Sequence, residues 1–152
     1  MKSSDSAYPW PAVVSVAFGT FALVTSEFLP IGLLDTIAET LSVSEGRAGL
    51  MVLVPGVLAA ISAPALTAAA RNMDRRRLLL VLTSLLVASN TIVATAPTFA
   101  ILLGGRVLLG VTVGGFWAFG VAVARRLVNA SHGARATTVV LAGISLGSVL
   151  GV

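Results

Sequence analysis

The apolar positions of this chain fall into five long runs separated by short polar breaks: Val13 to Leu34, Ala48 to Ala70, Leu78 to Ala96, Phe99 to Ala124 and Thr137 to Val152. A helix rises about 1.5 Å per residue, so roughly 20 apolar residues cross the hydrocarbon core of a bilayer. The first four runs reach that length. The fifth has 16 residues and is expected to be a truncated span. Transmembrane barrel strands show segments of about 10 residues with alternating polarity. These runs are longer and apolar on all sides, which predicts helices. A helix also satisfies its backbone polar groups within one segment, as lipid requires. The predicted fold is therefore an all-α polytopic membrane helix bundle, with four complete transmembrane helices and a truncated fifth. It forms one unit over residues 1–152, with no linker and no separate domain.

The breaks carry turn chemistry. Ser42 followed by Glu45 has the spacing of a capping box ahead of the second helix. Thr95-Ala96-Pro97-Thr98 is a tight break, so the third and fourth helices are expected to form an antiparallel hairpin. Pro30, Pro55 and Pro64 fall inside or near the ends of the first two helices, where each removes one backbone hydrogen bond.

Composition agrees with lipid as the solvent. Hydrophobic residues make up 57% of the chain and charged residues 11%, and the mean hydropathy is +1.00. Soluble domains carry about 25% charge. The net charge of +4 does not point to nucleic acid, because the basic residues cluster in two short breaks. Those are Arg71 to Arg77 and Arg125 to Ala136, and the positive-inside rule explains them. Both breaks are then cytoplasmic, as is the N-terminus, with Tyr8 and Trp10 at the inner interface. The first apolar run spans 22 residues, longer than the apolar stretch of a signal peptide, and reads as a retained helix. There is no cysteine and a single histidine, His132, so no metal site or cofactor is expected.

Two charges interrupt the runs. An ionised side chain at the bilayer centre costs at least roughly 2.5–3.5 kcal/mol, and such groups usually line a cavity, proton relay or substrate path. Glu27 and Arg106 are these residues. Each lies seven positions from the outer end of its run, at a depth of about 10 Å. Depth-matched in this way, they are expected either to couple protons or to form a structural ion pair joining two helices. Gly143, Gly147 and Gly151 recur every four residues and make one smooth packing face. Phe116 and Trp117 are candidates for lining a substrate cavity, or for packing.

At these residues the chain resembles the N-terminal half of a major facilitator superfamily transporter, of the 12-helix drug and metabolite proton-antiporter type. Glu27-Phe28-Leu29-Pro30 through Leu33-Leu34-Asp35-Thr36-Ile37-Ala38 is similar to the end of that group's first helix and its outer loop. Arg106-Val107-Leu108-Leu109-Gly110, followed by Gly114-Gly115-Phe116-Trp117, resembles its helix-four motif, in which the arginine serves proton coupling. Gly143 to Val152 resembles the start of its helix-five antiporter motif. The loop holding Arg71, Asp74, Arg75, Arg76 and Arg77 corresponds to the family's cytoplasmic gating loop. It departs from that pattern, with Thr67 and Asp74 at the glycine positions, Arg71 at the aspartate and Asn72 at the arginine.

The resemblance implies a parent protein that exports a small apolar or aromatic drug or metabolite from the cell in exchange for protons. Glu27 would carry the proton, with Arg106 as its coupling partner. The implied partners are the lipid bilayer of the plasma (inner) membrane, the substrate, protons and the missing C-terminal helices of the parent. The alternatives are a non-transporting membrane fragment or scaffold, and a small oligomeric multidrug transporter. No catalytic triad, phosphate-binding loop or metal cluster appears, so an enzyme is not expected.

Overall fold

The structure is a computed structural model and describes residues 10–70, 73–126, 128 and 130–152. Among the described residues seven α-helices follow in order: α1 Trp10–Gly32, α2 Leu34–Thr40, α3 Glu45–Ala48, α4 Leu50–Ala69, α5 Arg75–Thr95, α6 Phe99–Arg126 and α7 Gly133–Leu150. A 3₁₀ turn at Ala130–His132 precedes α7. No strand occurs among the described residues. Among the described residues five stretches are long and apolar enough to cross a membrane: Trp10–Gly32, Glu45–Ala69, Arg76–Thr95, Phe99–Ala124 and Gly133–Leu150. The fold is an all-α bundle of membrane-length helices, as the apolar runs require.

The centre of the bundle is α6, which packs along α4 on one side and α5 on the other, while α7 packs along α1. Lipid tails are as apolar as leucine, so close van der Waals contact and hydrogen bonds hold such helices together. The glycines provide that contact. A Cβ added at Gly143 would strike the Ala17 carbonyl, one at Gly147 would lie 2.8 Å from the Phe21 carbonyl, and one at Gly151 3.1 Å from the Thr25 carbonyl. Both helices advance four residues per rung, so α1 and α7 run parallel. The same ladder joins α4 to α6. A Cβ at Gly110 would lie 2.8 Å from the Pro55 carbonyl, and one at Gly114 2.7 Å from the Ala59 carbonyl. Against α5, the contacts of Gly105 with Val93 and Ile92 and of Gly115 with Leu82 run in the opposite sense, making the expected hairpin. Leu82, Leu86, Leu109, Val113, Phe116 and Leu23 fill the space between α1, α5 and α6.

Four differences between the helix ends and the apolar runs have a local cause. Residues 35–47, expected as a loop, are mostly helical. Leu34, Ile37, Ala38 and Leu41 share one face and pack with Ala48, Met51, Phe99 and Leu102, and that burial organises the segment. Ser42 does not cap the next helix. It sits at φ 52° and closes α2 instead, with the Val43 amide donating to the Ala38 carbonyl and the Ser42 amide to the Glu39 carbonyl. This is a Schellman ending with serine in the position glycine usually fills. The N-cap is Ser44, whose hydroxyl accepts from the Arg47 amide at 3.4 Å. Third, α5 begins at Arg75, because the Asp74 carboxylate accepts from the Arg76 amide at 3.0 Å and caps it. Fourth, α7 begins at Gly133, which is buried, four residues before its apolar run.

Trp10 lies beside His132, with ring centroids 6.4 Å apart, and under the Arg135 guanidinium. The start of α1 and the α6–α7 connection therefore share one end of the bundle. At the other end the Arg47 guanidinium lies over the Phe99 ring, and a Cβ at Gly32 would lie 3.0 Å from the Val152 carbonyl.

The packing ladder makes a contrast testable. Gly147→Val forces a branched side chain into the α1 backbone and should lower stability by about 1–3 kcal/mol. Gly56 has open space around its Cα, so Gly56→Ala should be neutral or stabilise by roughly 0.5–1 kcal/mol through lower backbone entropy in the unfolded chain. Thermal unfolding in detergent micelles separates the two; equal losses would contradict this packing.

Candidate functional site

The site begins with Arg106, which is 2% exposed in a bundle of apolar helices. Its position follows from its neighbours on α6. Gly105 lets α6 meet α5 near the Ser89 carbonyl, and Gly110 lets it meet α4 at Pro55. Between these contacts the Arg106 side chain enters the junction of α1, α4 and α6. Its Nε donates to the Met51 carbonyl at 2.7 Å. One terminal nitrogen donates to the Ser26 carbonyl at 2.8 Å and the other to the Glu27 carbonyl at 3.1 Å. The planar fork of a guanidinium can serve several acceptors at fixed angles, which a lysine ammonium cannot. Hydrogen bonds to charged groups contribute about 1.5–3 kcal/mol each, against roughly 1 for neutral pairs. Arg106 thus ties three helices together through main-chain oxygens.

Glu27 is at the same level, as its depth in the sequence suggested. The contact between the two residues, however, is made by the Glu27 carbonyl. The Glu27 side chain is half-buried, and none of these three guanidinium bonds reaches its carboxylate.

Three further polar links surround this pair and were not singled out in the sequence. The Asn90 amide donates to the Ser26 hydroxyl at 2.9 Å, and that hydroxyl donates to the Ala22 carbonyl at 2.7 Å. The buried Ser89 hydroxyl donates to the Gly105 carbonyl at 2.7 Å. Ser62 donates to the Gly110 carbonyl at 3.3 Å. Their signal was present: Ser89, Asn90 and Ser62 are polar interruptions of the third and second apolar runs.

The other candidates separate. Phe116 is buried, while Trp117 is 57% exposed. Phe116 borders a cavity of about 620 Å³ between α1, α5 and α6, lined also by Val16, Gly19, Leu79, Asp74 and Arg76. Phe116 and Trp117 both border a small gap of about 10 Å³ between α1, α6 and α7, with Thr20, Val24, Val140 and Ile144. Of the basic loop, Asp74 is the cap of α5, while Arg75, Arg76 and Arg77 form its first turn. Arg71 lies outside the described residues. Gly143, Gly147 and Gly151 lie against α1 rather than at the arginine. Among the described residues no group of three or more His, Asp or Glu side chains is placed to hold a metal.

The profile of the Major Facilitator Superfamily matches residues 16–152. The chain belongs to this superfamily. It is 40% identical over 149 residues to the Transcription regulatory protein OpdE of Pseudomonas aeruginosa, covering 98% of this chain and 37% of that relative. It is 39% identical over 141 residues to the Purine ribonucleoside efflux pump NepI of Salmonella paratyphi B, covering 93% of this chain and 36% of the pump. NepI of Salmonella typhimurium matches to the same extent. The chain spans little more than a third of the length of these relatives. Membership of this superfamily agrees with a multi-pass membrane protein of the transporter class, and the expected family resemblance holds.

Removing the guanidinium tests the clamp. Arg106→Met leaves the Met51, Ser26 and Glu27 carbonyls without it and should lower unfolding stability by about 3 kcal/mol or more. Chemical unfolding in micelles reads this directly, and a loss below about 1 kcal/mol, the size of one ordinary hydrogen bond, would contradict it.

Proposed function

We propose that this chain forms the N-terminal transmembrane part of a proton-coupled efflux antiporter of the plasma (inner) membrane. The observation that carries the reading is the separation of roles at Arg106 and Glu27. The arginine is buried and its three bonds go to carbonyls, so it supplies a fixed positive charge at one level of the bundle. The Glu27 carboxylate lies one peptide away on a half-buried side chain. A carboxylate near a fixed cation, yet not locked into its hydrogen bonds, can take up and release a proton without dismantling the helix contacts. Proton coupling needs that property.

The substrate we propose is a small compound with an aromatic or apolar body. One of the similar proteins is named a purine ribonucleoside efflux pump, and a purine base has an aromatic face. Phe116 borders the wide cleft of about 620 Å³ between α1, α5 and α6, large enough for such a compound, and Trp117 offers an exposed indole one residue further on, where stacking is favourable. Transporters of this architecture bind at the interface of two repeated halves, and the greater length of the relatives supports further walls for this cleft. The partners are then the bilayer, protons, the exported compound and the remaining C-terminal helices.

The orientation we propose places Trp10, Arg76, Arg77 and Arg135 on the cytoplasmic side. Trp10 and Arg135 share one end of the bundle, and Asp74 and Arg76 line the same cavity as Ala12 of α1. Basic residues gathered at one end favour the cytoplasm. Arg75 to Arg77, with Asp74 and Arg71, would form the gating segment there.

The test is Glu27→Gln in the full-length transporter, reconstituted in vesicles with an imposed proton gradient. Gradient-driven efflux should be abolished, while substrate binding and exchange without a gradient persist. Gradient-driven efflux at the parental rate would remove Glu27 from proton coupling.

A further inference from the structure

Two of the three carbonyls bound by Arg106 share a property that their own residues do not explain. Proline has no amide hydrogen, so in a helix the carbonyl four residues earlier loses its partner. Pro30 is inside α1 and Pro55 inside α4. Counting back four residues gives Ser26 and Met51. These carbonyls receive the two shorter Arg106 bonds, at 2.8 and 2.7 Å. The third acceptor, the Glu27 carbonyl, belongs to the same turn of α1 as Ser26.

We propose that Pro30 and Pro55 are positioning residues for Arg106: each releases one main-chain carbonyl from its helix, and the guanidinium takes both. A backbone carbonyl left unpaired in the hydrocarbon region costs several kcal/mol. An arginine in the same region needs acceptors or a counter-charge. The two deficits cancel at this junction, and the arginine is accommodated without using a carboxylate.

The packing register supports the pairing. On the ladder between α4 and α6, Gly110 meets Pro55 and Gly114 meets Ala59. One rung earlier on both helices gives Arg106 and Met51, which are the residues bonded. The proline that frees the Met51 carbonyl thus lies at the backbone contact that Gly110 makes with α4. Release of the acceptor and approach of the donor depend on adjacent rungs of one ladder. On α1 the Ser26 hydroxyl is already engaged with Asn90 and Ala22, so the carbonyl of that residue is served from α6.

The inference concerns the site of the proposed function, but its test reads hydrogen bonds and not transport, so either can fail alone. In the full chain in lipid bilayers, ¹³C labels at the Met51 and Ser26 carbonyls and ¹⁵N-arginine report proximity by solid-state magnetic resonance. The parent should show both carbonyls close to Arg106. In Pro55→Ala the new amide reclaims the Met51 carbonyl, so the Arg106–Met51 signal is lost and the Arg106–Ser26 signal kept. In Pro30→Ala the losses are reversed. Both signals persisting at parental intensity in both variants would overturn the proposal. Should an alanine variant fail to fold, Arg106→Gln gives a second reading. The two carbonyl resonances should then move to the position of unbonded carbonyls, and resonances that stay in place would show other donors and overturn it.

Discussion

The constraint on which this bundle depends is the placement of one full positive charge where there is almost no water. Arg106 is 2% exposed, and the free energy of stripping its hydration must be recovered locally. Three main-chain oxygens from two neighbouring helices do so. Because the acceptors are backbone atoms, the interaction fixes how far α6 can slide along α4 and α1. A change of side chain at position 26, 27 or 51 leaves the acceptor in place. The clamp therefore depends on helix register more than on side-chain identity.

Register in turn depends on the glycine ladders. The rungs of Gly110 and Gly114 against α4, and of Gly143, Gly147 and Gly151 against α1, bring backbones to distances that no larger residue permits. At those distances the short hydroxyls of Ser62 and Ser89 reach carbonyls on α6. Two tight parallel pairs, α1 with α7 and α4 with α6, result, and α6 with its arginine joins them. With the scaffold held in this way, the Glu27 carboxylate is left outside the clamp, and a functional reading follows from that separation.

The order and type of the five membrane-length helices were legible in the sequence because their apolar runs are long. The ends were less so. Asp35 and Glu39 made the segment after α1 look like a loop, although Leu34, Ile37, Ala38 and Leu41 already had helical spacing. Ser42 and Ser44 both precede α3, and only backbone geometry shows that the first ends α2 while the second starts α3. Phe116 and Trp117 were read as a pair, but successive residues on a helix point about 100° apart, so one is buried and the other exposed. Arg106 and Glu27 stood out as charges in apolar runs. The acceptors of Arg106 did not, because a backbone carbonyl has no side-chain signature; the only trace, at Ser26 and Met51, was a proline four residues further on.

Arg106 is held by carbonyls and not by the Glu27 carboxylate. A double-mutant cycle of Arg106→Gln and Glu27→Gln on unfolding stability tests it most directly. A coupling of about 1 kcal/mol is expected, a through-space attraction between charges that share no hydrogen bond. A coupling of about 3 kcal/mol or more, as in a direct buried ion pair, would contradict it.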